Sequence, residues 1–200
     1  MYNRYPMEKK RFFTTKMIAV TGVLTGIEIV LQVIGNYIQP GFANINLSLI
    51  PICLGAILYG PLVGGFLGLI CGVMILVAPS TGGFFAISPI GTILACLIKT
   101  TLAGVIAGYV MKLCKNKTFL GSILVSIIVP VVNTGVFAIF TAIFFRSALE
   151  GMVAQGLFAD TATALFLGMI GINFILEIVS TLILTPSLFK IIEHQSTRVE

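Results

Sequence analysis

Three ionisable side chains stand inside long apolar runs of this 200-residue chain: Glu28, Lys99 and Glu177. A charge held in hydrocarbon costs a few kcal/mol, so each needs a partner or a task. Lys99 sits within "GTILACLIKTTLAGVIAG", well after Pro89 and well before Lys112. At about 1.5 Å per residue it lies roughly 15 Å from the nearer end, beyond the reach of a snorkelling lysine stem. Its ammonium calls for a carboxylate. Glu28 or Glu177 could supply one, and so could an anionic ligand.

Polar residues recur at helical spacing around these charges. Ser88, Thr92 and Ala95 form a small stripe above Lys99. Ser126, Pro130, Asn133, Phe137 and Thr141 share one face of a later run, Asn173, Glu177 and Ser180 share another, and Glu28 shares one with Gln32. Such stripes line cavities or bond backbone across helices. The segments "NYIQPGFANIN" and "APSTGGFFAIS" have the Gly, Pro and aromatic content of gating loops, or of an interfacial aromatic belt built from Tyr37, Phe42, Phe84 and Phe85.

Other chemistry is absent from the sequence. The single histidine, His194, cannot build a zinc site, and there is no H-E-x-x-H, G-x-S-x-G or Walker motif. Cys53, Cys71, Cys96 and Cys114 have no metal-ligand spacing and form no disulfide framework. No catalytic residue, metal or resident cofactor is expected, and the chain is read as a non-enzyme whose task is binding and transport.

The elements that must position these residues follow from hydropathy. The chain is 58% hydrophobic and 10% charged, with a mean hydropathy of +1.10. A soluble domain keeps about a quarter of its residues charged, so lipid must be the solvent here. Six apolar segments are expected as transmembrane helices: 17–35, 45–59, 62–79, 87–111, 119–145 and 162–189. Together they make an all-α integral membrane protein, one compact six-helix bundle over residues 1–200. The second and third segments are short and joined by "YGP", which suggests a tight hairpin. The glycines of "GGFLGLICG" would let backbones approach closely. Ten of the twelve Lys and Arg fall at 1–16, 112–117 and 190–200, which places both termini in the cytoplasm. Arg146 alone falls on the opposite side.

The run "NINLSLIPICLGAILYGPLVGGFLGLICGV", followed by "FFAISPIGTILACLIKTTLAGVIAG" and "PVVNTGVF", resembles the substrate-binding S components of energy-coupling factor (ECF) vitamin transporters. The resemblance implies a multi-pass subunit of the bacterial plasma membrane that captures a vitamin from outside. It would act with a transmembrane coupling protein and two cytoplasmic ATPases, which use the ATP. It also implies a coupling-protein contact on the first helix through an A-x-x-x-A pattern. Here that region reads "AVTGVLTG" and offers Ala19, Gly22 and Gly26, which could equally pack within the subunit.

A lone in-span lysine favours an anionic cargo, and "NLSLIP" and "PVVNTGVF" are most similar to pantothenate-type members. Riboflavin, folate, biotin, pyridoxine or a thiamine precursor are the alternatives. The expected substrate-binding set is Lys99 for the carboxylate, Thr92, Asn133 and Asn173 for polar groups, Phe84 and Phe85 for closure, and Glu28 as a partner of the lysine. A stand-alone secondary transporter, an intramembrane enzyme and a purely structural subunit are the rival classes.

Overall fold

In lipid, backbone amides and carbonyls must bond within the protein, and helices do this segment by segment. The computed structural model, which describes residues 14–37, 46–114 and 118–196, is all-α, with no strand among the described residues. The helices are α1 (Thr15–Tyr37), α2 (Leu49–Tyr59), α3 (Pro61–Leu76), α4 (Gly82–Ile87), α5 (Pro89–Leu113), α6 (Thr118–Phe144) and α7 (Arg146–Ala154). A final run comprises α8 (Thr161–Thr163), a π-helical segment Ala164–Ile170, and α9 (Gly171–Ser196). Arg4, Lys9, Lys10, Arg11, Phe42, Lys115, Lys117 and Arg198, which entered the charge and loop readings, lie outside the described residues.

Four stretches are long and apolar enough to cross a membrane: Thr15–Asn36, Pro89–Leu113, Thr118–Phe144 and Thr161–Ile192. A fifth arises if Pro61–Leu76 and Pro79–Ile87, which meet at a 72° bend, count as one span. The expected segment 45–59 is reduced to the eleven residues of α2, about 16 Å long. Its residues Leu49–Ile57 are all buried, so protein surrounds it where lipid would surround a full span. The outer helices instead turn large apolar side chains outward, as at Ile18, Val23, Ile90 and Ile143.

The expected hairpin forms at Gly60, the single residue between α2 and α3. Its φ of 85° lies in the left-handed region, and its N–H bonds the Ala56 carbonyl at 3.0 Å. Glycine alone adopts this conformation without cost. From there α3 and α5 lie backbone to backbone, with Gly64 against Gly104, Gly68 against Thr100 and Gly72 against Cys96. A Cβ on Gly64 would stand 2.5 Å from the Gly104 carbonyl oxygen, and one on Gly72 would stand 2.7 Å from that of Cys96. The glycine spacing of four on α3 therefore meets the matching turns of an antiparallel α5. This close packing fixes the height of Lys99 against α3.

A proline locks α6 to α9. Pro130 has no N–H, so the Ser126 carbonyl four residues earlier loses its helical donor. The Thr181 hydroxyl of α9 lies 2.7 Å from that carbonyl and 2.7 Å from the Glu177 carbonyl of its own helix, so its one proton serves both. Both residues are fully buried. At the other side of the bundle, the Ser48 hydroxyl before α2 donates to Gln32 Oε1 of α1 at 2.8 Å and lies 3.0 Å from Cys71 Sγ of α3.

Candidate functional site

A cavity of about 260 Å3 opens between the ends of α1, α5, α6 and the last run. Lys99, Thr92, Asn133, Asn173 and Phe84 all line it, brought together from four separate elements. Lys99 and Asn133 meet because α5 and α6 form an antiparallel hairpin. Each lies ten or eleven residues from the Pro89 or Phe144 end, hence at about the same depth.

The Lys99 ammonium lies 4.8 Å over the ring of Phe137, one turn along α6 from Asn133. A cation over a ring face is attracted by the ring's negative quadrupole. The ion pair found among the described residues joins Arg146 and Glu150 on the exposed surface of α7. Lys99 therefore has neither Glu28 nor Glu177 at ion-pair distance.

The other expected polar groups differ in what they leave available. The Thr92 hydroxyl donates to the Ser88 carbonyl at 2.8 Å, so its proton is engaged and its lone pairs remain. Asn133 is almost fully buried. Its Nδ2 donates to Glu177 Oε2 at 3.4 Å, while its Oδ1 is buried without a partner. Phe84, carried by the short α4 beyond the bend, packs edge-on against Phe137 at 6.0 Å and against buried Phe145 at 5.1 Å.

Two expected residues do not line the cavity. Phe85 follows Phe84 on α4 but is absent from the cavity wall. Glu28 is fully buried on α1, with neither carboxyl oxygen bonded, and also lies off the cavity. Its neighbour one turn on, Gln32, reaches the cavity instead, together with Gly35 and Asn36 of α1.

Several lining groups were not singled out as binding residues. Glu177 lines the cavity and receives both Asn133 and, at 3.3 Å, the Thr134 hydroxyl on Oε2. Asn46, Ser80, Thr81 and Phe137 line it too. The π segment explains part of this. Gly168, Met169 and Ile170 are consecutive, yet all three face the cavity. A wider turn shifts the phase of everything after it, and it delivers Asn173 and Glu177 to the same wall. The in-span polarity of Glu177 and its place one turn from Asn173 on the same face were readable signals.

On α1, Ala19, Gly22 and Gly26 are exposed, and a Cβ on either glycine would meet nothing within 4 Å. Among the described residues, nothing packs against these two glycines. The small-residue face is open.

Residues 16–189 match the family model described as ECF transporter, substrate-specific component. No curated protein and no solved structure matches the chain.

Proposed function

The chain belongs to the substrate-specific components of ECF transporters, and on that premise we propose that its cavity captures a small carboxylate vitamin, pantothenate first. Members of this family are vitamin-binding transport subunits, not enzymes, and they associate with a membrane coupling protein and ATPases. The observation that carries the proposal is Lys99: a cation in a membrane-buried cavity with no carboxylate at ion-pair distance among the described residues. A ligand carboxylate would supply the counter-charge through charge-assisted hydrogen bonds.

Around that anchor, Asn133 and Asn173 pair the ligand's polar groups, Thr92 accepts, and Phe84 closes the site against Phe145. Glu28 and Phe85 have no contact with the ligand in this reading. The cavity volume also supports a small cargo. At about 260 Å3 it falls just under the usual range of roughly 300–1,000 Å3 for ligand pockets, which disfavours a molecule as large as folate. The chain acts as one unit of six membrane-embedded helices in the bacterial plasma membrane, with both ends cytoplasmic. Its α1 face around Ala19, Gly22 and Gly26 meets the coupling protein.

Isothermal titration of the detergent-purified protein against a panel of vitamins tests this. Pantothenate is expected to bind tightly to the wild type. Lys99→Met should weaken it by about 10- to 100-fold, the loss of a hydrogen bond to a charged group, with the melting profile retained. Tight binding of an uncharged vitamin would remove Lys99 from the site, and silence across the panel would remove the function.

A further inference from the structure

Beyond the anchor, the cavity has a second pole of opposite hydrogen-bonding character. Glu177 projects from α9, with Oε2 receiving Asn133 Nδ2 and Thr134 Oγ1. Because a carboxylate accepts and does not donate, it fixes the Asn133 amide with Nδ2 toward it. That leaves Asn133 Oδ1 buried with no donor, on a residue only 3% exposed. Two acceptor groups therefore stand side by side on the cavity wall, both nine-tenths or more buried. Lys99 stands over Phe137, one helical turn along α6 from Asn133.

We propose that Glu177 and Asn133 Oδ1 form a specificity pole that selects ligands carrying a hydroxyl or N–H donor at the end distal to the carboxylate held by Lys99. This rests on the reading of the cavity as the vitamin site. Three features of the wall lead to it. A buried acceptor left without a donor is destabilising, so a ligand O–H or N–H there gains what an apolar group cannot. A ligand carboxylate on Lys99 leaves Glu177 in excess, and donors answer that charge. A second ligand carboxylate would face Glu177 and Asn133 Oδ1 and be repelled. The site thus reads both ends of a bifunctional molecule and rejects monofunctional acids and dicarboxylates.

The test compares three probes by titration: pantothenate, which has the carboxylate and distal hydroxyls; pantothenol, which lacks the carboxylate; and N-(3,3-dimethylbutanoyl)-β-alanine, which lacks the hydroxyls. Wild-type protein should prefer pantothenate over the deshydroxy acid by about tenfold or more. In Glu177→Gln that preference should fall below about threefold, while the deshydroxy acid binds as well as before or more tightly. A merely structural Glu177 would weaken both acids equally, and that result overturns the proposal.

Equal binding of the two acids by the wild type overturns it without any variant, and leaves Lys99 as anchor intact if pantothenol still binds poorly. If pantothenate fails and nicotinate, a carboxylate without a distal donor, is the vitamin that binds, the specificity pole is refuted while the transport subunit stands. If none of the panel binds, the functional reading falls and the pole with it.

Discussion

Replacing Thr181 by Val removes one hydroxyl while keeping shape, so its consequence can be worked from the α6–α9 lock alone. The hydroxyl stands 2.7 Å from the Ser126 carbonyl, which Pro130 has deprived of its helical donor, and 2.7 Å from the Glu177 carbonyl within α9; the proline makes Ser126 the acceptor in greater need of its one proton. Both ends are fully buried, so no water replaces the lost donor. An orphaned buried acceptor costs about 1–3 kcal/mol, and interhelical hydrogen bonds in membranes average about 0.6 and reach about 1.7. A loss of about 1–2 kcal/mol is expected. At roughly 2–4 °C per kcal/mol for a chain of this size, the melting temperature should fall by about 2–8 °C.

Pro130→Ala changes the arithmetic, because an alanine N–H can bond Ser126 along the helix. In that background Thr181→Val should cost under about 0.5 kcal/mol. The assay is a double-mutant cycle read by thermal unfolding in detergent micelles. An equal cost of Thr181→Val with Pro130 and with Ala at position 130 would refute the reasoning, since the hydroxyl would then not be answering the proline.

Four further outcomes are expected. Gly68→Ala places a methyl against the Thr100 backbone, an overpacking worth about 1–3 kcal/mol; an unchanged melting temperature would contradict the close α3–α5 contact. Phe84→Ala removes the ring seated between Phe137 and Phe145 and should raise ligand off-rates in stopped-flow displacement more than it slows association. Glu28→Met replaces a fully buried carboxyl with no bonded oxygen by an apolar chain, so thermal unfolding should show an unchanged or raised melting temperature; a marked fall would reveal a partner. The Thr163 N–H donates to the Asp160 carboxylate at 2.8 Å and holds that carboxyl below its ordinary value. Since the folded value is the lower one, this cap contributes fully above about pH 3.9 and is lost as pH falls through the lowered value; an NMR titration of the Thr163 amide with a midpoint at or above 3.9 would reject it.

Much of the site was legible because lipid makes every in-span polar residue conspicuous. Lys99, Asn133 and Asn173 could be picked out by type and depth, and the cavity gathers all three. The glycines of α3 likewise announced a close contact, although the sequence could not say that α5 would be the partner. Choosing between Glu28 and Glu177 was beyond the pattern. α1 is apolar on nearly every side, so periodicity does not say which side faces inward, and Glu28 turned out to lie one turn from the wall that Gln32 occupies. Glu177 reaches the cavity through a π segment, whose extra width no hydrophobic period encodes. The same holds for Phe84 and Phe85, neighbours on α4, of which Phe84 packs on Phe137 of α6 and Phe85 lies off the cavity. The count of spans suffered for a related reason: the buried α2 is as apolar as a lipid-facing helix.

The glycine ladder between α3 and α5 makes the two sides of the cavity mechanically unequal. With carbonyls and glycine carbons already in contact along three turns, α3 and α5 can neither slide nor separate without breaking several contacts together, and they carry Lys99 as a plank carries a nail. The opposite side reaches the cavity through Ala164–Ile170, a π-helical segment wider than the α-helix it continues into. The cavity is therefore built like a caliper, with one jaw fixed by packed backbone and holding Lys99, and a facing jaw, carried through the π-helical turn, holding Glu177.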